Sequence, residues 1–247
     1  MRPQQVTLLV LMLIHWSASA QCLQVYYQDM INDSYEQFRE KTSANGVSPL
    51  PTHLRTEEMY AALAKPIPFI LSVNGSVATY QFDEDSAREE ATPAGELMFT
   101  SPIEEDVAHL DIASQQLTFN LFSREKKSAV SYHGPLNSPD WTILSEAVEI
   151  MGFACQVATA EFCGSRVVVY YSTDIPLAVG PRGLSGLPGL ILKAVYDGGR
   201  RVVTVSGVEA ADCPNEAHDF TTWASDGGHS KWVAKASADE SAFCHTN

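Results

Sequence analysis

The chain has 247 residues, 45% of them hydrophobic and 19% charged, with a formal net charge of -14. That apolar content supports a packed core and excludes a disordered or collagen-like chain. The excess of acid leaves no basic stripe to displace counterions from a phosphate backbone, which excludes a nucleic-acid partner.

The first twenty residues read as an address. Arg2 supplies the positive end, Val6 to Ile14 an apolar core, and Ala18 and Ala20 an A-x-A cleavage site. Cleavage after Ala20 predicts a secreted or periplasmic protein. Gln21 stands before Cys22 where a lipobox needs a small residue, so a lipoprotein is not expected. No later segment offers the roughly 20 apolar residues of a membrane helix, so no membrane span is expected.

Thr56 to Lys65 has helical composition and ends before Pro66. Phe69 to Phe82 reads as a hairpin around Asn74-Gly75, a dipeptide suited to positive φ at both turn positions. Pairing outward sets Val73 opposite Ser76, Leu71 opposite Ala78 and Phe69 opposite Tyr80, with one apolar face and one polar face. Asp83 to Gly95 is acidic and reads as a solvated loop, its spacing not that of an EF-hand. Gln116 to Phe122 alternates as a strand, and Ala129 to Tyr132 returns after a charged turn. Ser138-Pro139 could cap a helix running to Met151, yet a strand fits there equally well. Arg166 to Tyr171 is a Val- and Tyr-rich strand. Leu190 to Tyr196 and Arg201 to Val208 form a second hairpin across Asp197-Gly198-Gly199-Arg200. Ala211 to Asn247 is polar. The organisation predicted is a signal peptide over 1–20, one β-rich domain over 21–210 and a polar extension over 211–247.

Gly186-Leu187-Pro188-Gly189-Leu190-Ile191-Leu192 reads GLPGLIL, and the segments before it fall in a fixed order. They are Trp141, Gly152-Phe153-Ala154-Cys155, Ala158, Phe162, Tyr170-Tyr171, Ile175-Pro176 and Gly180-Pro181. The chain resembles the GLPGLI family, exported proteins of bacterial envelopes whose biochemical role is not established. The match covers residues 141–208. It departs at Val157, where the family usually has lysine, and at Tyr170, where it commonly has tryptophan. The resemblance implies that residues 142–162 form a bent strand pair with Gly152 at the bend. It marks Gly186 to Leu192, Trp141, Cys155, Tyr171, Pro176 and Pro181 as structural or binding residues. The fold expected is mainly β, a curved antiparallel sheet, half-barrel or sandwich with one or two short helices.

Leu187-Pro188-Gly189-Leu190 has the chemistry of a type II turn, with glycine taking the positive φ. Leu190, Leu192, Ala194 and Tyr196 then share one face of the outgoing strand. The segment carries no polar group for chemistry, so it reads as a folding staple before a ligand-gripping lip.

The sequence shows no P-loop, GxGxxG, HExxH, GxSxG or CxxC pattern. His53, His109, His133, His218, His229 and His245 are scattered beside no nucleophile signature. Cys213, His218, His229, Cys244 and His245 match no zinc spacing, so neither metal nor other cofactor is expected. Cys213 and Cys244 bracket the tail and are the first candidate disulfide in an exported chain. An odd cysteine count leaves at least one thiol unpaired, and Cys155, in an apolar run, reads as a small buried hydrophobe. Asn32-Asp33-Ser34 and Asn74-Gly75-Ser76 spell sequons but read as turn chemistry. Three functions follow: an envelope accessory or binding protein whose partner is an envelope protein, lipid or peptide; a carrier holding a lipid, lipoprotein or peptide in a concave sheet; and a hydrolase with a site assembled only in space.

Overall fold

The computed structural model describes residues 22–44, 56–57, 60, 66–83, 86, 107–123, 128–136, 138–211 and 233–237. Its strands are β1 Cys22–Ile31, β2 Ile67–Asn74, β3 Val77–Phe82, β4 Val107–Asp111, β5 Gln116–Ser123, β6 Ser128–Pro135, β7 Thr142–Ile150, β8 Phe153–Phe162, β9 Ser165–Ser172, β10 Leu190–Tyr196, β11 Arg201–Ala211 and β12 Val233–Ser237. They form one open sheet in the order β12-β6-β5-β4-β3-β2-β1-β11-β10-β9-β8-β7. Every pairing is antiparallel except β12 on β6. The protein is mainly β, as its alternating runs predict.

β1 shows why these segments become strands. Val25, Tyr27 and Asp29 are buried, while Gln24, Tyr26 and Gln28 between them are half-buried. That period of two places one face on the core. Phe69, Leu71 and Val73 of β2 and Ala78 and Tyr80 of β3 continue the same core. Phe69 stacks on Tyr80 with ring centroids 5.0 Å apart.

The β2–β3 hairpin turns one residue later than the Asn74-Gly75 pattern predicts. Val73 faces Ala78, Leu71 faces Tyr80 and Phe69 faces Phe82. Gly75 has φ 59 and no positive φ occurs at Asn74, so glycine takes the first central position, as in a type II′ turn. The slip moves each partner by two residues, an even number, so every side chain keeps its predicted face.

Residues 142–162 are strands, β7 and β8, joined at Met151-Gly152 with φ 51 and 85. The bend falls where expected. The alternative helix from Ser138 does not form. The hairpin of β10 and β11 is also as predicted. Helix α1, Tyr35–Ala44, was not anticipated. It starts with a capping box: Gln37 N–H donates to Ser34 Oγ at 3.2 Å, and Ser34 N–H donates to Gln37 Oε1 at 2.8 Å. Ser34 of the first sequon is thus a helix cap. The helix predicted over 56–65 and the acidic loop over 83–95 lie almost wholly outside the described residues.

A single sheet must cover its own apolar face. Here the connection from β9 to β10, residues 173–189, does so. It carries a tight 3-10 turn at Pro181–Gly183 that touches β3 and β4, far across the strand order from β9. Ile175, Val179, Leu184 and Leu187 from this connection join the core of the sheet.

Candidate functional site

The Gly186–Leu192 segment is packing rather than an opening. Leu187, Leu190, Ile191 and Leu192 are all buried. Leu190 N–H donates to Ile175 O at 2.9 Å and Ile191 N–H to Val179 O at 3.0 Å. Tyr27 OH donates to Ile191 O at 2.6 Å from within the core. Trp141 Nε1–H donates to Ser185 O at 2.7 Å, tying the start of β7 to the connection. Trp141→Phe is expected to cost about 1 kcal/mol in urea denaturation, the value of one such hydrogen bond. Leu190→Ala should cost about 2–5 kcal/mol by the same measurement, since the side chain is wholly enclosed.

The glycines serve close approach. A Cβ on Gly189 would sit 2.1 Å from Ser172 O, and one on Gly180 would sit 2.6 Å from Ile191 Cβ. Gly189 has no positive φ. This corrects the type II turn: glycine is required there by contact with a neighbouring backbone, not by backbone angle. Gly186, with φ 90, does take the left-handed region, and its Cβ would meet Ser138 Oγ. Pro188 and Pro176 are exposed, while Pro181 is buried. Leu190, Leu192, Ala194 and Tyr196 all face the core as predicted; Ile191 is buried as well, beside a bulge in the β9–β10 ladder.

Tyr171 is buried on β9 and its OH donates to Gln156 Oε1 at 2.5 Å. Cys155 is the free cysteine among the described residues, buried on β8, and burial raises its thiol pKa. Cys22 and Cys163 each take part in a disulfide. The candidate pair Cys213 and Cys244 lies outside the described residues, as do the tail histidines. His109 on β4 shares a hydrogen bond with Thr79 Oγ1 at 3.1 Å through Nδ1. Among the described residues no three metal-ligating side chains converge.

The connection also carries a charge that sequence reasoning missed. Arg182 is 4% exposed and holds φ 55, a left-handed conformation unusual for a side chain of its size. Its Nη1 donates to Asp29 Oδ2 at 3.3 Å. Arg201 of β11 clasps the same carboxylate, Nε to Oδ1 at 2.9 Å and Nη2 to Oδ2 at 2.8 Å. Burial alone would lower the Arg201 pKa, but the Asp29 charge and hydrogen bonds carry it above its ordinary value. Tyr80 and Tyr196 are buried within the same electrostatic neighbourhood. The signal available was Asp29 itself, a carboxylate at the inward position of an alternating strand.

Burial pushes the Tyr196 phenol up to about 12 and the Tyr80 phenol well above 10. In the unfolded chain phenols ionise near pH 10, while the folded chain still holds its protons, so it binds more of them. Their contribution is whole below pH 10 and is lost as pH rises through the folded values. The unfolding free energy from urea denaturation at rising alkaline pH should therefore fall by about 1.4 kcal/mol per pH unit for each such phenol between pH 10 and its folded value. A flat profile would mean these rings are not enclosed.

Among the described strands, the sheet ends at β7. Ile143 is 56% exposed, Val148 40% and Met151, just past the strand, 54%. Of the four exposed large hydrophobics among the described residues, these three lie on β7 or in the turn after it.

No family model and no curated protein matches the chain. Solved structures resemble it in fold. PNGF-II in the P21 space group has a TM-score of 0.52 at 14% identity, and PNGF-II in the C2 space group 0.51 at 15%. Each likeness covers 92% of this chain but 33% of the other, so the chain spans about a third of the length of those structures.

Proposed function

We propose that this is an exported accessory protein of the bacterial envelope, resembling the GLPGLI family, that works by binding another macromolecule rather than by catalysis. The observation that carries this reading is the division of apolar surface. The Gly186–Leu192 segment is spent inside the core, where burial accounts for its leucines and close backbone contact for its glycines. Among the described residues, three of the four large apolar side chains left in solvent lie on β7 or in the turn after it, at one end of the described sheet. Apolar side chains left in solvent along a terminal strand are a common mark of an interaction site.

Native mass spectrometry of the protein purified from its host envelope tests this. A stoichiometric polypeptide mass above that of the chain is expected. A bound lipid would favour the carrier alternative, and a bare chain that hydrolyses envelope components would overturn the reading.

A further inference from the structure

We propose that Cys22 is bonded to Cys213 and Cys163 to Cys244, so that the polar C-terminal segment is tethered at opposite ends of the β1–β11 seam. The chain has five cysteines: Cys22, Cys155, Cys163, Cys213 and Cys244. Cys155 is free, while Cys22 and Cys163 each take part in a disulfide. Their partners are therefore each other or the two remaining cysteines, and strand register decides between these.

Cys22 begins β1 and lies opposite Ala211. Cys163 lies past the other end of the seam. It sits in the turn between Phe162 and Ser165, and Ser165 Oγ donates to Asp197 Oδ2 at 3.1 Å. Asp197 follows Tyr196, which pairs with Arg201, and Arg201 faces Ile31 at the far end of β1. The strand from Arg201 to Ala211 advances ten residues, roughly 33 Å. Bonded cysteines have Cα atoms at most about 7 Å apart. Cys22 and Cys163 cannot meet, so each is bonded to Cys213 or Cys244. This displaces the Cys213–Cys244 pair that the tail alone suggests, because that pair would leave Cys22 and Cys163 only each other.

Reach completes the assignment. Cys213 stands two residues after Ala211, and two residues extend at most about 7 Å. That brings Cys213 to Cys22, but not along roughly 33 Å of strand to Cys163. Cys163 is then bonded to Cys244. Each bond forms as two thiols give up two protons and two electrons to a disulfide-bearing oxidant, which is itself reduced to a dithiol. Oxidising compartments hold such oxidants, and the exported role proposed above would place the chain in one.

Peptide mapping of the protein purified from its host tests the pairing. Free thiols are alkylated in acidic denaturant, which slows exchange, and trypsin and a Glu-specific protease then cut without reductant. Two cross-linked products are expected. One joins the Cys22 peptide ending at Glu36 to residues 210–216, and the other joins residues 162–166 to 241–247. A dithiol reductant, supplying two electrons per bond, should part both products. Cys155, in the peptide 150–161, should alone carry the alkyl label. In Cys244→Ser, Cys163 should become labelled too, while the Cys22–Cys213 product persists. A product joining 210–216 to 241–247, one joining the Cys22 peptide to 162–166, the crossed pairs, or label on every cysteine of the parent would overturn the proposal. So would loss of the Cys22–Cys213 product in Cys244→Ser.

Discussion

Asp29→Ala is expected to be among the most damaging single changes in this protein, costing about 3–5 kcal/mol. The carboxylate is 2% exposed and receives both Arg182 and Arg201. Removing it leaves the buried Arg182 guanidinium and the half-buried Arg201 guanidinium without that negative charge, and little water reaches Arg182 to compensate. The effect should couple to its partner. Arg182→Met on its own destabilises, but added to Asp29→Ala it should recover part of the loss, since an apolar stem of similar length fills the same space. Urea denaturation of the two single variants and the double variant measures this. Asp29→Ala within about 0.5 kcal/mol of the parent would show that the cluster is not enclosed.

Gly189→Ala is expected to cost about 3 kcal/mol or more, because the first carbon added already strikes the backbone carbonyl of Ser172. The strand pair β9–β10 begins there, with Leu190 opposite Ser172. Relief would need the ladder to open at its first rung. Gly189→Val should be little worse than Gly189→Ala, since the collision is made by Cβ. Gly198→Ala is the contrasting case: φ is 67 and no atom lies within 4 Å of an added Cβ. There only the backbone preference is lost, about 1 kcal/mol. Similar costs at the two positions, by urea denaturation, would sink the steric account.

Local signals carried most of the sheet. Period-two alternation marked β2, β3 and β5, apolar or Val- and Tyr-rich runs marked β9, β10 and β11, the turn at Asp197–Arg200 was legible from its turn residues, and the bend at Gly152 came from the family resemblance. The β2–β3 turn slipped by one because Asn74-Gly75 and Gly75-Ser76 both offer hairpin chemistry, and pairing with β1 and β4 chooses between them. β1 escaped notice although it alternates, since Gln24, Gln28 and Asp29 dilute its apolar content. β4 is five residues long and holds His109 and Asp111. α1 was missed because Asn32-Asp33-Ser34 was read as turn chemistry and Gln37, three residues after Ser34, was not weighed as its capping partner. The Gly186–Leu192 segment was legible as a staple, but not for the reason given, because close approach to Ser172 is a tertiary fact. The Asp29 cluster could not be read at all: its partners lie 153 and 172 residues away.

The place of β1 in the sheet governs how the chain can reach its native state. It lies between β2 and β11, with Cys22 opposite Ala211 and Ile31 opposite Arg201. Its second neighbour is therefore supplied by residues far along the chain, Arg201–Ala211. The central seam closes only after a very long loop has been searched, so contact order is high and folding is expected in the slow range of β proteins. Until then β1 shows a bare apolar edge, an invitation to pair with other chains. Refolding yield should fall steeply with protein concentration. A chain made from its N-terminus onward cannot close this seam until Arg201–Ala211 is available, which ties maturation of the fold to the late arrival of β11.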